Sequence, residues 1–165
     1  MPALPAGKAA PDFQLVTLEG KPFHLKDALS QGPVILAFFK VSCPTCQYAF
    51  PFYERLFQAY KNRHVTLVGV SQNDAKDTAA FTKEFGITFP ILLDDTRRYL
   101  VSNAYGLTNV PTVFWIAGDG EIEISSIGWS KADFEQINGK IAETAKISAA
   151  PVFQRSEDVL DYRAG

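Results

Sequence analysis

The sequence predicts an α/β fold, a mixed central β-sheet flanked by helices. Three observations predict it. Two runs have strand length: Val34–Phe39, apolar without alternation as a strand buried on both faces is, and the largely apolar 65–70, which reads as the next buried strand. Helical apolar patterns recur between such runs. Hairpin turns, Glu19-Gly20 and Ala117-Gly118-Asp119-Gly120, stand at the two ends of that alternation. The chain of 165 residues is large enough for one domain with a real core. Its apolar fraction of 47% and charged fraction of 21% are ordinary for a soluble globular protein. A net charge of −2 and the lack of a Lys/Arg run argue against nucleic acid as a partner. No apolar run approaches the roughly 18 residues of a membrane span.

Residues 1–11 are rich in Pro and Ala and read as an extended, mobile arm. Residues 12–18 and 21–24 read as strands of a hairpin, and 25–29 as one helical turn ended by Gly32-Pro33. After the first apolar run comes a helix to about Asn62, with Ala49, Phe52, Tyr53, Leu56, Phe57 and Tyr60 on one face and Pro51 inside it as an expected kink. Residues 65–70 give the next strand. Ser71-Gln72-Asn73-Asp74 supplies caps for a helix over 75–85. A short strand follows at 91–93. Asp94-Asp95-Thr96 caps a helix over 97–105, ended by Gly106. Strands at 112–116 and 121–127 flank the second hairpin loop. A helix over 131–145 carries Phe134, Ile137, Ile141 and Ala145 on its inner stripe. The domain is thus expected over 12–147, with a tail without periodicity at 148–165.

Both cysteines lie in Cys43-Pro44-Thr45-Cys46, between the first apolar run and the first long helix. A bridge over so short a gap closes almost no loop, so it would restrain the unfolded chain little. The chemistry of the position is another matter. A helix N-terminus offers free N–H groups and partial positive charge, which favour a thiolate. The thiolate is the nucleophile of disulfide exchange, and a second thiol nearby can resolve the mixed disulfide. The bland alternative is a pair of inert buried thiols. A zinc site would need His24 and His64, which lack close spacing to each other or to the cysteines. No metal and no cofactor is implied. Lys40 reads as a solvated strand end or as a positive charge tuning Cys43. Phe39, Phe50, Phe52 and Trp115 read as core or, for some of them, as an apolar docking rim of the site. Arg97 and Arg98 read as an exposed helix start.

Strand, Cys-x-x-Cys and helix together resemble the thioredoxin-like redox pattern. Pro51, five residues after Cys46, resembles the kink proline of thioredoxins. Val110-Pro111-Thr112 before a strand resembles their cis-proline loop. Ala10-Pro11-Asp12-Phe13 and the Leu-Glu-Gly turn resemble the N-terminal hairpin of the redoxins, the superfamily of the AhpC/TSA peroxiredoxins and the TlpA- and ResA-like thiol-disulfide oxidoreductases. The helix and extra strand between Asp74 and Asp94 resemble an insertion of that branch. Residues 10–145 carry the likeness. It implies a thioredoxin-like fold and a thiol-disulfide oxidoreductase in which Cys43 attacks and Cys46 resolves. It also implies a cis Val110–Pro111 bond, with Val110, Pro111 and Thr112 meeting the substrate and Pro44, Thr45 and Lys40 tuning the dithiol. Partners would be disulfide- or dithiol-bearing proteins. Two departures concern the proton acceptor for Cys46. Thioredoxins have an Asp where this chain has Ala37, and ResA-like proteins a Glu where it has Ala49; Lys40 and Glu54 are the nearest ionisable residues in sequence. The alternative is a peroxiredoxin-like thiol peroxidase with Cys43 as peroxidatic cysteine. It lacks the family's Thr three residues before that cysteine, where Lys40 stands, and its Pro seven residues before, where Leu36 stands. A cytoplasmic location is expected if Met1 is the native start, and a periplasmic or exported one if a signal was removed.

Overall fold

Every residue of Val34–Phe39 (β3) is fully buried, because this strand lies at the heart of the sheet. In the computed structural model, which describes residues 3–61 and 64–165, β3 pairs in parallel with Thr66–Ser71 (β4) and antiparallel with Thr112–Ile116 (β6). Gln14–Thr17 (β1), Pro22–His24 (β2), Ile91–Leu93 (β5) and Ile122–Ile127 (β7) complete a seven-stranded sheet of order β2-β1-β5-β4-β3-β6-β7. The mixed thioredoxin-like sheet expected from the sequence is present, including the N-terminal hairpin and the inserted helix and strand.

Strand side chains alternate, so β3 serves two cores. Ile35, Ala37 and Phe39 face one layer, built from Pro44–Ala59 (α2), Ala75–Phe85 (α3) and Lys131–Ala145 (α5). Val34, Leu36 and Phe38 face the other, where Leu25 of Leu25–Leu29 (α1) and Val101 of Leu100–Ala104 (α4) pack with Tyr105 and Phe114. Helix α3 starts on the Asp74 carboxylate, which accepts from Asp77 N, and ends on Gly86 at φ 68°. The expected end of α2 at Asn62 lies outside the described residues.

Two expectations are corrected. The helix expected over 97–105 begins only at Leu100. Asp95 accepts the N–H groups of Arg97 and Arg98 in a separate turn, and Tyr99 adopts the left-handed conformation at φ 49°, which interrupts a helix. Asp94 then caps the real helix, accepting from Val101 N and Ser102 N. The second correction concerns the ends. The leading segment is extended but docked: Leu4 N donates to Tyr105 O, Gly7 N to Ile122 O, and Ala10 N to Gly120 O. The tail carries a strand that the sequence does not announce, Tyr162–Arg163 (β9), paired antiparallel with Trp129–Ser130 (β8).

Candidate functional site

The register places the site. Phe38 lies opposite Thr112, so Val110 and Pro111 fall beside the end of β3, where the chain turns into Cys43. The Val110–Pro111 peptide bond is cis, as expected. Cys43 is the N-cap of α2 and Pro44 its first helical residue, a position where the missing N–H costs nothing. The Cys43 sulfur does the work a Ser or Asp oxygen usually does at an N-cap. It accepts from Cys46 N at 3.1 Å. It also lies 3.3 Å from the Val110 carbonyl, to which its thiol donates when protonated.

The two thiols are set far apart in acidity. Cys43 is half-buried. The hydrogen bond from the Cys46 side chain, with backbone N–H groups of Cys46 and Thr45, pulls its pKa down to about 6 against the cost of burial, and Arg163 adds a favourable charge. Cys46 is fully buried, and that burial, with the neighbouring Cys43, pushes its pKa up. An attacking thiolate beside a protonated, covered thiol is what stepwise disulfide exchange needs.

The turn is braced by residues the sequence reading passed over. Asn73 Oδ1 accepts from Val41 N at 2.9 Å, and Gln47 Nε2 donates to Val41 O at 2.9 Å. Both are single polar side chains without a motif, so spacing alone gives no signal of them. Thr112, expected to meet substrate, lies on β6 at the foot of the Val110–Pro111 loop. It is fully buried, and its hydroxyl donates to Asn109 O at 2.8 Å, within its own loop. Thr45 is buried and donates to Ala164 O at 2.7 Å, while Pro44 is exposed. Lys40 sends its ammonium over the Tyr99 ring, 5.9 Å from its centre. Arg163, from the tail, adds a small favourable charge at Cys43. Lys40, Gln72, Tyr99 and Asn109 line a polar cavity of about 220 Å³ that reaches Val110.

Ala37 and Ala49, where related proteins place a carboxylate, are core residues at 0% and 1% exposure. Glu54 does not substitute for them. It is committed to Thr88 N at 2.7 Å and Phe89 N at 3.2 Å. His24 binds Asp12 at 2.6 Å, and Arg98 sits 3.6 Å from Asp95 on an exposed turn. Among the described residues no three His, Cys, Asp or Glu side chains gather as metal ligands would, and no helix is long and apolar enough to cross a membrane.

Comparison with known proteins agrees with this geometry. Residues 6–125 match the AhpC/TSA family. The thiol-disulfide oxidoreductase ResA of Geobacillus thermodenitrificans is 35% identical over 136 residues, 81% of this chain and 76% of that one. A thiol:disulfide interchange protein of the thioredoxin family from Chlorobium tepidum is 27% identical, with a TM-score of 0.67 over 88% of this chain and 99% of that one. A solution structure from Bacteroides thetaiotaomicron, at 24% identity, shows the same fold with a TM-score of 0.80 over 88% of this chain and 95% of that one. The chain belongs to the AhpC/TSA family and is a thiol-disulfide oxidoreductase of the ResA-like kind.

Proposed function

We propose that Cys43 and Cys46 carry the exchange, with Cys43 attacking and Cys46 resolving, on disulfide-bearing protein partners. One observation carries the assignment: the half-exposed Cys43 sulfur receives the helix N-terminal hydrogen bond, and Cys46 is buried beneath it. The Cys43 thiolate attacks one sulfur of a partner disulfide. A mixed disulfide forms, and the partner's other sulfur leaves as thiolate. Cys46 then loses its proton and attacks the Cys43 sulfur, releasing the second partner thiolate. The partner gains two electrons and the Cys43–Cys46 pair loses them; a dithiol donor restores it. Val110 and Pro111 border Cys43 and offer backbone and an apolar ring to an extended partner segment. The peroxidase alternative has less support, because the position of its peroxide-orienting Thr is held by Lys40, whose ammonium lies over Tyr99.

Substitution Cys46→Ser should accumulate mixed disulfides with partners, and Cys43→Ser almost none, in mass spectrometry of captured complexes. Equal capture by the two variants sinks the assignment. The stabilised thiolate favours the dithiol over the disulfide, so the couple should titrate above the about −270 mV of thioredoxin in a glutathione buffer. A potential at or below that value would mean Cys43 is not a stabilised thiolate.

A further inference from the structure

The tail segment, residues 150–165, runs the length of α2 and reaches the turn that carries the dithiol. It starts at the helix's far end, where Ala150 N donates to the Tyr60 hydroxyl at 2.6 Å and Asn138 Nδ2 to Ala150 O at 2.9 Å. One turn on, Arg55 donates to Val152 O at 3.1 Å and grips Glu157 with two bonds of 2.7 Å. Phe153 stacks edge-on with Phe52, their centroids 5.4 Å apart. Leu160 N then donates to the Tyr48 hydroxyl at 2.9 Å, and Thr45 donates to Ala164 O at 2.7 Å. Thr45, Tyr48, Phe52 and Arg55 are spaced i, i+3, i+7 and i+10, a single face of the helix. The tail is a strap laid along that face toward Cys43.

Its last residues fill the place where a partner would bind. Tyr162 and Arg163 pair with Ser130 and Trp129 as an added strand. Gly165 packs on the Val110–Pro111 loop so closely that a Cβ there would lie 2.1 Å from Val110 O and 3.4 Å from Pro111 N. Gly128, at φ 76°, lets the strap approach on the other side; a Cβ on it would come within 2.6 Å of Arg163 O. The strap is held unevenly. Its base is anchored by buried Val152 and by the Arg55–Glu157 pair, while Tyr162 at the tip is 60% exposed.

We infer that residues 162–165 are an intramolecular occupant of the partner groove, held in place by β8, Thr45 and Val110, and that a partner's extended segment must displace this tip to reach Cys43. The inference rests on the reading of the Val110–Pro111 loop as the partner site. It also describes the partner. A segment that takes the tip's place extends β8 by main-chain hydrogen bonds, offers a carbonyl to Thr45, and carries a glycine where Gly165 lies.

The test compares insulin reduction, with dithiothreitol as electron source, by the full chain, by a chain ending at Asp161, and by full-length Gly165→Leu, in which a side chain pushes the tip off. A tip docked roughly nine-tenths of the time lowers the apparent affinity for insulin about tenfold, so both variants should be faster by about that factor at low insulin. Their rates with a small aromatic disulfide, which needs no groove, should change much less. A free acetyl-Tyr-Arg-Ala-Gly peptide should slow the shortened chain again. Insulin rates that are the same in all three proteins overturn the strap. Cys46→Ser versions of the full and shortened chains separate the two readings. Insulin captured equally well by both removes the strap alone; insulin captured by neither removes the dithiol assignment and the strap with it.

Discussion

The two ends of this chain both lack a helix or strand period in sequence and differ in what holds them. Residues 7–10 lie along the outer edge of the sheet, bonded through backbone to Gly120 and Ile122 with an isolated bridge from Ala9 to Glu121, while Leu4 N donates to Tyr105 O beside the buried Ala3. They cover strand edge that would otherwise be open. Residues 150–165 are held by side chains along α2 and its C-cap, Tyr60, Arg55, Tyr48 and Thr45, and near their end by backbone pairing with β8. Backbone bonding tolerates most side chains and fixes a segment only to an edge. Side-chain bonding addresses a segment to one helix, and here that helix begins at the dithiol. The leading end is therefore structural, and the trailing end is tied to the chemistry.

The largest effect that sharpens this contrast is expected from Trp129→Ala. The indole packs 5.0 Å from Phe52 and 5.2 Å from Phe134 between ring centres, and its N–H donates to Leu160 O at 2.7 Å. Its loss should cost about 3–5 kcal/mol in urea unfolding. A loss below about 1 kcal/mol would show that the strap side adds little core. Removing residues 1–10 should cost less, on the order of 2 kcal/mol for a few backbone bonds. Insulin reduction and Cys43 alkylation should both stay at the full-length rate after that deletion. A change in either would break the contrast between the ends.

Arg55→Ala should cost about 1 kcal/mol, since the pair it breaks is partly exposed though two-pronged. It should also speed proteolysis within 150–157 at neutral pH. The Arg55 guanidinium holds Glu157 down to about 2, so acid should not release this clamp until near that pH. The smallest effect is electrostatic. Alkylation of Cys43 should follow a titration with a midpoint near the Cys43 pKa of about 6. Arg163→Gln removes a nearby positive charge, which favours the protonated thiol, and should move the midpoint up by a fraction of a unit. An unmoved midpoint would detach the strap from the chemistry. The same low pKa gives a linkage. The unfolded thiol stays protonated to about pH 9, so the reduced protein gains stability from this group as pH rises from about 6 to 9 and loses it as pH falls back through 6.

Much of the fold is legible because its signals are local. The run Val34–Phe39 reads as a strand buried on both faces and is one, and the helices Ala75–Phe85 and Lys131–Ala145 have the bounds expected of them. The helix at 97–105 was not legible in its first turn. Asp95 and Asp94 both look like caps, and only the left-handed Tyr99 separates the turn that one caps from the helix that the other caps. At the site, the cysteine pair, its helix and the Val110-Pro111 loop are readable from motifs. Asn73 and Gln47 are not, because a lone amide carries no pattern until its partner, the backbone of Val41, is in place.

By itself the sequence determined the sheet and the dithiol at a helix start, for which apolar periodicity and short-range backbone chemistry suffice; the pairing of that turn with a proline loop far along the chain followed from the resemblance to thioredoxins. Only the tertiary structure decided where the last residues go. Their contacts reach back roughly a hundred residues, from Leu160 to Tyr48 and from Ala164 to Thr45, and each is a single hydrogen bond with no sequence period. It also decided that Arg163, distant in sequence and carried on β9 where it pairs with β8, adds a favourable charge at Cys43, while Lys40, near in sequence, lies over Tyr99.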